Sequence, residues 1–261
     1  MEKSVPHIVV QNLTVAYDSI VILHDLTFTV NRGDIFIIMG ASGGGKSTVL
    51  RSMIGLLRPA KGDILYDGMS FWSAEQEAQK EIMRKFGVLY QSGALWSSLT
   101  LAENVALPIQ QYTDLSPKQI GEIVSLKLSL VGLSGFEDFY PSEISGGMKK
   151  RAGLARAMAL DPEILFFDEP SAGLDPVSAH LLDELIIELR NSLGATVVVV
   201  THELASIFAI GNNSVFLDAD TKTMIAAGDP KKLLAESKNV KVINFLTRGE
   251  GDEKKAGGTK E

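Results

Sequence analysis

The chain has 261 residues, of which 45% are hydrophobic and 22% charged, and its formal net charge is −7. This composition is typical of a folded globular protein and excludes a mostly disordered or collagen-like chain. The negative charge argues against bulk electrostatic binding to DNA or RNA. Because cysteine is absent, disulfides, thiol nucleophiles and cysteine-based metal sites are also excluded.

Membrane-spanning and secretory segments are not expected. No apolar run approaches the length of about 20 residues that a membrane helix needs. The two best runs, Ile35–Met39 and residues 196–201, have the length of a strand. The segment from Met1 to Pro6 also lacks the apolar stretch of a secretory signal. We therefore expect a cytosolic chain that does not itself cross a bilayer.

The first part of the chain is rich in short apolar segments separated by polar residues. These segments, residues 8–10, 13–17, 20–23 and 26–30, predict the strands of an antiparallel β-layer. The apolar run Ile35–Met39 then predicts a buried strand, and a glycine-rich loop and a helix over about residues 48–57 follow it. This order of strand, loop and helix is that of a mononucleotide-binding unit.

Between Gln91 and Leu160 the spacing of apolar residues becomes helical, as in residues 116–131 behind a Ser-Pro start. We interpret this stretch as a helical insert. The β/α alternation then resumes, with strands at 164–167 and 196–200 and helices at 177–193 and 203–210. Residues 215–217 and 224–226 are predicted as edge strands. The pattern predicts an α/β fold, one domain with two lobes, followed by a mobile tail after Leu246.

The glycine-rich loop matches the spacing G-x-x-x-x-G-K-[ST] in full and stands between a predicted strand and a predicted helix. We call it the phosphate loop; its residues are Gly40, Ala41, Ser42, Gly43, Gly44, Gly45, Lys46 and Ser47. Its backbone N–H groups can close around phosphate oxygens, Lys46 can reach the β and γ phosphates, and the Ser47 hydroxyl can ligate Mg²⁺. The alternative, a flexible turn, does not require the lysine, the hydroxyl and both flanking elements together.

Two acids, Asp168 and Glu169, end a predicted apolar strand and form what we call the acid pair. They are expected at the carboxyl edge of the sheet, where open α/β folds bind their ligands. Asp168 can then help to hold a metal ion, and Glu169 can orient or deprotonate a water for attack on a γ phosphate. The alternative is that the pair only caps the junction between strand and turn.

A third motif, the signature segment, opens a predicted helix over residues 148–160. It consists of Ile144, Ser145, Gly146, Gly147 and Met148. The N–H groups at this helix start can form a second anion site, although a simple N-cap is the alternative. Lys149, Lys150 and Arg151 follow, and we expect them to form a solvated basic face.

Together these motifs resemble those of the ATP-binding cassette (ABC) ATPases, and the resemblance covers about residues 8–246. It implies a P-loop NTPase fold with a RecA-like core, an N-terminal antiparallel β-subdomain and a helical subdomain. The ATPase domain is then expected at residues 1–247. Its core and antiparallel β parts fall at about 7–91 and 161–247, its helical subdomain at about 92–160, and a disordered tail at 248–261.

The resemblance also implies roles for single residues. Catalysis is assigned to Glu169, to Lys46 and to His202 as the switch histidine, whereas Tyr17 would stack on adenine. Ser47, Gln91 and Asp168 would hold Mg²⁺. The remaining nucleotide contacts would come from the phosphate loop, Thr48, Ser145, Gly146 and Gly147. A loop along the dimer interface would comprise Ser171, Ala172, Gly173, Leu174 and Asp175, although its composition also suits an ordinary turn.

The family resemblance implies an ATPase that acts as a homodimer with two ATP molecules between its protomers. Residues 90–96 and the run from Ser145 to Arg151 further resemble the ATPases of MCE-type phospholipid transporters, the Mla system of Gram-negative envelopes. This implies a polytopic permease docked in a groove, an MCE lipid-binding protein and a STAS-domain subunit, with the ATPase on the cytoplasmic face of the inner membrane. The signature segment departs from the common pattern at Ile144 and Met148, where Leu and Gln are usual.

Three alternatives remain. The first is an ABC ATPase for another transported substrate. The second is a soluble ABC ATPase acting on DNA or the ribosome, which the short spacing of 168 − 46 = 122 residues between Lys46 and Asp168, the single cassette and the absence of cysteine disfavour. The third is an ATP-binding regulator that barely hydrolyses, which Glu169 and His202 disfavour.

Overall fold

The computed structural model describes residues 6–249, which form two compact units. The first unit comprises residues 6–73 and 200–249, and the second comprises residues 74–199. The predicted tail lies almost wholly outside the described residues. Within them, no helix is long and apolar enough to cross a membrane.

The strands and helices follow one another in an alternating order. They are β1 Pro6–Tyr17, β2 Ile20–Asn31, β3 Ile35–Met39, α1 Lys46–Met53, β4 Lys61–Tyr66, β5 Met69–Ser70, α2 Gln76–Met83, β6 Phe86–Leu89, α3 Leu101–Tyr112, α4 Pro117–Leu130, α5 Gly146–Ala157, β7 Ile164–Asp168, α6 Pro176–Leu193, β8 Thr196–Val200, α7 Leu204–Ile210, β9 Asn213–Asp218, β10 Thr223–Ala227, α8 Pro230–Glu236 and α9 Val240–Leu246. A short 3₁₀ turn, Pro141–Glu143, precedes α5.

The first unit contains the predicted antiparallel layer, with strand order β2-β1-β4-β5. The four short strands that the sequence predicts are in fact two strands of 12 residues each. The polar interruptions are irregularities within the ladder: Asn12 and Asp25 adopt positive φ angles of 46° and 54°, and the pairing register shifts between Val10 and Leu13. Such bulges bend a strand without ending it.

The same unit contains β3, whose five residues are all buried, as its uninterrupted apolar sequence predicts. β9 runs parallel to β3, with Met39 opposite Phe216, and β10 runs antiparallel to β9. The expectation that β9 is an edge strand is therefore wrong, because it is paired on both sides. Only β10 lies at the edge, and its side chains are partly exposed.

In the second unit, β6 and β7 are parallel neighbours, with Leu89 opposite Phe167. β6 was not predicted, because it has only four residues and contains a glycine. That glycine is required by packing: a Cβ on Gly87 would lie 2.2 Å from the carbonyl oxygen of Ala157. The strand thus lies directly against α5.

The helical stretch predicted after Gln91 is confirmed as α3, α4 and α5. Ser116 caps α4 and Thr100 caps α3, each in a capping box with the residue three positions later. The turn before α3 is held by buried Asn104, whose amide donates to the carbonyl oxygens of Trp96 (3.1 Å) and Leu99 (3.1 Å). The subdomain boundaries given above stay a prediction.

A pair of glycines offers a test of packing in the first unit. Gly62 and Gly68 have nearly equal φ angles of 81° and 79°, but a Cβ on Gly62 would lie 2.4 Å from the carbonyl oxygens of Gln11 and Asn12, whereas one on Gly68 meets nothing within 4 Å. Gly68→Ala should cost about 1 kcal/mol from the positive φ alone. Gly62→Ala should cost about 1–3 kcal/mol more, because β1 must shift. Urea denaturation of both variants measures the difference, and equal costs would contradict it.

Candidate functional site

The phosphate loop connects β3 to α1 in the first unit. Gly40, Gly43 and Gly45 adopt φ angles of 148°, 77° and 80°, which residues with a side chain rarely adopt. Gly45 is the N-cap residue of α1, and no side chain caps this helix. A helix N-terminus that is preceded by glycines and capped by no side chain suits an anion.

Lys46 lies beneath this loop, with only 6% of its surface exposed. Its Nζ donates to the carbonyl oxygens of Gly40 (3.0 Å) and Ala41 (2.9 Å). Ser47 follows on α1 and is partly buried. The ammonium group is thus held at the loop, where an anion bound by the backbone N–H groups would need a counter-charge.

The loop is positioned by strands that are distant in the sequence. A Cβ on Gly45 would lie 2.7 Å from Cδ1 of Leu23, on β2. A Cβ on Gly40 would lie 2.3 Å from the carbonyl oxygen of Leu217, on β9. These two glycines therefore permit close packing, a requirement that the loop motif alone does not reveal.

Tyr17 and His202 lie in the same unit as the phosphate loop. Tyr17 ends β1, is 40% exposed, and its hydroxyl accepts a hydrogen bond of 3.0 Å from Arg51 on α1. The N–H group of Thr201 donates to the carbonyl oxygen of Ile38 at 3.3 Å. Exposed His202 therefore follows immediately after a contact with the strand that enters the phosphate loop.

In the second unit, Gln91 and the acid pair follow neighbouring parallel strands. Gln91 is exposed two residues after β6, and Asp168 is the last residue of β7. Because β6 and β7 are parallel neighbours, their carboxyl ends lie at the same edge. Glu169 leaves this edge with a φ of 49°, in the left-handed region.

The signature segment lies against the predicted interface loop. Ser145 is the N-cap residue of α5, and its Oγ accepts a hydrogen bond of 3.2 Å from the N–H group of Met148. A Cβ on Gly147 would lie 3.8 Å from side-chain atoms of Leu174 and Ser178. The structure therefore brings the segment and the loop together, although an N-cap alone would also account for Ser145.

The interface loop, Ser171–Asp175, ends at the start of α6. The carboxylate of Asp175 accepts from the N–H groups of Val177 (3.1 Å) and Ser178 (3.0 Å). The hydrogen bond from the Ser178 hydroxyl contributes most to lowering the pKa of Asp175. The loop is therefore locally a capped turn, and its place at a dimer interface stays a prediction.

The expectation of a solvated basic face is wrong at Lys150, which is only 6% exposed. Its Nζ donates to the carbonyl oxygens of Pro170 (2.6 Å) and Ala172 (2.5 Å), and that of Glu169 lies at 3.4 Å. Burial lowers the pKa of Lys150, and the charge of Glu169 opposes that shift. The carbonyl oxygens satisfy the ammonium group although it stands in the first turn of a helix.

Arg156, near the other end of α5, was not predicted as part of the site. Its Nη1 donates to the carbonyl oxygen of Ala94 (2.7 Å) and its Nη2 to that of Gly93 (3.0 Å). Burial lowers its pKa, and Tyr90 opposes this shift. Arg156 therefore holds the segment that directly follows Gln91, which we call the glutamine loop, residues 91–96.

A groove of about 720 Å³ opens beside the glutamine loop, entirely within the second unit. Its lining is mostly apolar or aromatic and consists of Phe86, Gly87, Val88, Tyr90, Trp96, Leu99, Leu107, Pro108, Gln111, Tyr112, Arg156, Ala157 and Leu160. Trp96 is 63% exposed and Tyr112 50% exposed. Large aromatic side chains that stand exposed around a groove are typical of a surface for protein partners.

The fold and motifs are shared with known proteins. The profile of the ABC transporter family matches residues 23–172. The "Probable ribonucleotide transport ATP-binding protein mkl" of Mycobacterium tuberculosis is 42% identical over 237 residues, which cover 91% of this chain but only 65% of that relative. The intermembrane phospholipid transport system ATP-binding protein MlaF of Haemophilus influenzae is 41% identical over 243 residues, which cover 93% and 90% of the two chains.

A solved structure shows the same architecture. A dimeric ATP-binding cassette in a post-hydrolysis state, bound to ADP and Pi, superimposes with a TM-score of 0.78 at 28% identity, and covers 85% of this chain and 98% of its own. The chain therefore belongs to the ABC transporter family. Within that family it is an ATP-binding cassette, the type of chain that forms the ATPase subunit of a transporter.

Proposed function

We propose that this chain hydrolyses ATP to drive phospholipid transport across a Gram-negative envelope, and so supports intermembrane lipid traffic and outer-membrane lipid asymmetry. One observation carries the choice of substrate. The similarity to MlaF extends over 90% of that relative, whereas the chain spans only 65% of the similarly identical mkl. The whole length of a phospholipid-system ATPase is thus represented here.

We propose the phosphate loop, Thr48 and Tyr17 as the part of the ATP site in the first unit. The uncapped N-terminus of α1 and the buried ammonium group of Lys46 suit a chain of phosphates. Tyr17 offers an exposed ring at the end of β1 on which a base can stack. His202 would act as the switch that responds to the γ phosphate.

The second unit would supply the groups for hydrolysis. Ser47, Gln91 and Asp168 together offer hydroxyl, amide and carboxylate oxygens, the ligand types that Mg²⁺ prefers. Bound there, Mg²⁺ would neutralise charge that develops on the phosphates. Glu169 would accept a proton from the attacking water as general base.

We propose a homodimer with two ATP molecules between the protomers. Each chain has one phosphate loop and one signature segment, so Ser145, Gly146 and Gly147 of one protomer would close over ATP held by the other. The interface loop would run along this contact, and its packing against the signature segment supports that placement. The similar solved cassette is itself dimeric.

The groove beside the glutamine loop is the proposed docking site of a polytopic permease. Its exposed Trp96 and Tyr112 provide large apolar contact area, and Arg156 joins its lining to the glutamine loop. An MCE lipid-binding protein and a STAS-domain subunit complete the proposed assembly, with phospholipid handled by these partners. The chain would then sit on the cytoplasmic face of the inner membrane.

Trp96→Glu should weaken binding of the permease by about 30-fold, which corresponds to the loss of about 2 kcal/mol at an interface hot spot. Leu126→Glu is the matched control, because Leu126 is 56% exposed on α4 but does not line the groove. The measurement is the amount of permease that copurifies with each tagged variant in mild detergent. Equal recovery of permease with both variants would place the docking site elsewhere.

The whole proposal is tested by isolating the tagged chain from its own membranes and identifying its proteins and lipids by mass spectrometry. A permease with an MCE protein and bound phospholipid is the expected result. A transporter whose ATPase is stimulated by ribonucleotides would instead favour the activity that mkl's name describes. Recovery of only soluble or ribosomal partners would overturn the transport assignment.

A further inference from the structure

Helix α5 carries a buried or half-buried cation near each end, and each contacts a different loop. Lys150, in its first turns, contacts the backbone that follows Glu169. Arg156, about 9 Å further along the axis, contacts the backbone of Gly93 and Ala94. One rigid helix therefore connects the signature segment with both the glutamine loop and the acid pair.

The contact at Lys150 is specific to an ammonium group. Such a group has three N–H donors, and the carbonyl oxygens of Glu169, Pro170 and Ala172 lie 3.4, 2.6 and 2.5 Å from Nζ. The N–H group of Ala172 also donates to the carbonyl oxygen of Glu169 at 3.2 Å. Lys150 therefore closes a compact turn from the outside.

This turn begins with a strained residue. Glu169 has a φ of 49°, a conformation that costs a residue with a side chain on the order of 1 kcal/mol or more and persists only when its surroundings enforce it. Lys150 is the side chain that contacts the carbonyl group of Glu169 and of the next residue. The direction in which Glu169 leaves the strand therefore depends on a side chain of the signature helix.

We propose that Lys150 is a positioning residue for ATP hydrolysis: it holds the turn from Glu169 to Ala172, so that the signature helix and the catalytic carboxylate move together. The inference rests on the role proposed above for Glu169. When a second protomer's ATP binds at the signature segment, a displacement of α5 is passed to Glu169 through these hydrogen bonds. Lys150 itself touches neither ATP nor water in this scheme.

The test compares Lys150→Met, Lys150→Arg and the control Lys149→Met in the full-length chain purified with its transporter partners. Lys149 is adjacent, partly exposed and equally charged. For each variant the ATPase kcat and KM, the binding of a fluorescent ATP analogue and the Tm are measured. Glu169→Gln is measured in parallel.

Lys150→Met should lower kcat by about 10- to 100-fold, the loss that a misplacement of about 1 Å at a reacting group can cause. KM and ATP binding should change less than threefold, because the phosphate loop belongs to the other unit. Lys150→Arg keeps the charge and several donors in a different geometry, so it should recover part of kcat. Lys149→Met should have the kcat of the unchanged protein.

Two results would overturn the inference. If Lys150→Met lowers only the Tm while the folded protein keeps its kcat, Lys150 serves stability alone, and an inactive Glu169→Gln in the same series would leave the proposed function intact. If Glu169→Gln itself hydrolyses ATP at a near-normal rate, the catalytic assignment fails, and the positioning role of Lys150 fails with it.

Discussion

Glu169→Gln is expected to lower the kcat for ATP hydrolysis by at least about 100-fold, the usual contribution of a general base. The amide has nearly the size and shape of the carboxylate, but it cannot accept the proton of an attacking water. Glu169 follows β7 at the edge that it shares with β6, so the substitution leaves the strand and its pairing unchanged. ATP binding should therefore persist, and the ATP-bound dimer should live longer.

The measurement combines steady-state phosphate release with binding of a fluorescent ATP analogue and size-exclusion chromatography in ATP. Glu236→Gln is a suitable control, because Glu236 is exposed at the end of α8 and removes the same charge. Near-normal hydrolysis by Glu169→Gln would refute the assignment of the general base. Loss of ATP binding would show instead that the carboxylate serves the nucleotide site itself.

Lys46→Ala is expected to weaken ATP binding by about 10- to 100-fold, because a buried charge-assisted hydrogen bond contributes roughly 1.5–3 kcal/mol. The substitution also removes the donor to the carbonyl oxygens of Gly40 and Ala41, so the loop loses order as well as positive charge. Both effects act on binding, whereas Glu169→Gln acts on hydrolysis. The two variants therefore separate the two roles.

Affinity is measured by titration with the fluorescent ATP analogue, and circular dichroism shows whether each variant is folded. Lys231→Ala, at an exposed position on α8, controls for the loss of one positive charge. An ATP affinity equal to that of the unchanged chain would refute the role of Lys46 in the phosphate loop.

Elements whose signal is local were predicted well. The bounds of β3 and β8 agree with the prediction residue for residue, and α6 begins only one residue earlier than expected. Each is a continuous apolar or periodic stretch between clear breaks, so neighbouring residues alone carry the information. The same holds for the phosphate loop, whose residues are consecutive.

Predictions failed where the decisive contact is distant in the sequence. The polar residues around Asn12 look like a turn, but pairing of β1 with strands on both sides keeps the chain extended through a bulge. β9 looks like an edge strand, but β3 pairs with it from more than 170 residues away in the sequence. Hydrogen bonding between distant strands, not local propensity, decides such cases.

The cations of α5 show the same limit within the candidate site. Nothing near Lys150 or Arg156 in the sequence distinguishes a buried cation from a solvated one, since their carbonyl partners lie 20 to 63 residues away along the chain. Burial of a charge is possible only where the fold presents acceptors for every donor. The expectation at Lys150 was therefore reasonable from the sequence and wrong in the structure.

The sequence by itself determined the family, because short runs of consecutive residues carry the chemistry that defines it: the phosphate loop, the acid pair and the signature segment. The tertiary structure decided how those runs are held. Gly45 is a glycine because β2 lies against it, and Glu169 leaves its strand in a direction that Lys150 enforces from another element. Motifs are local in the chain, whereas the packing that orients them acts between residues that only folding brings together.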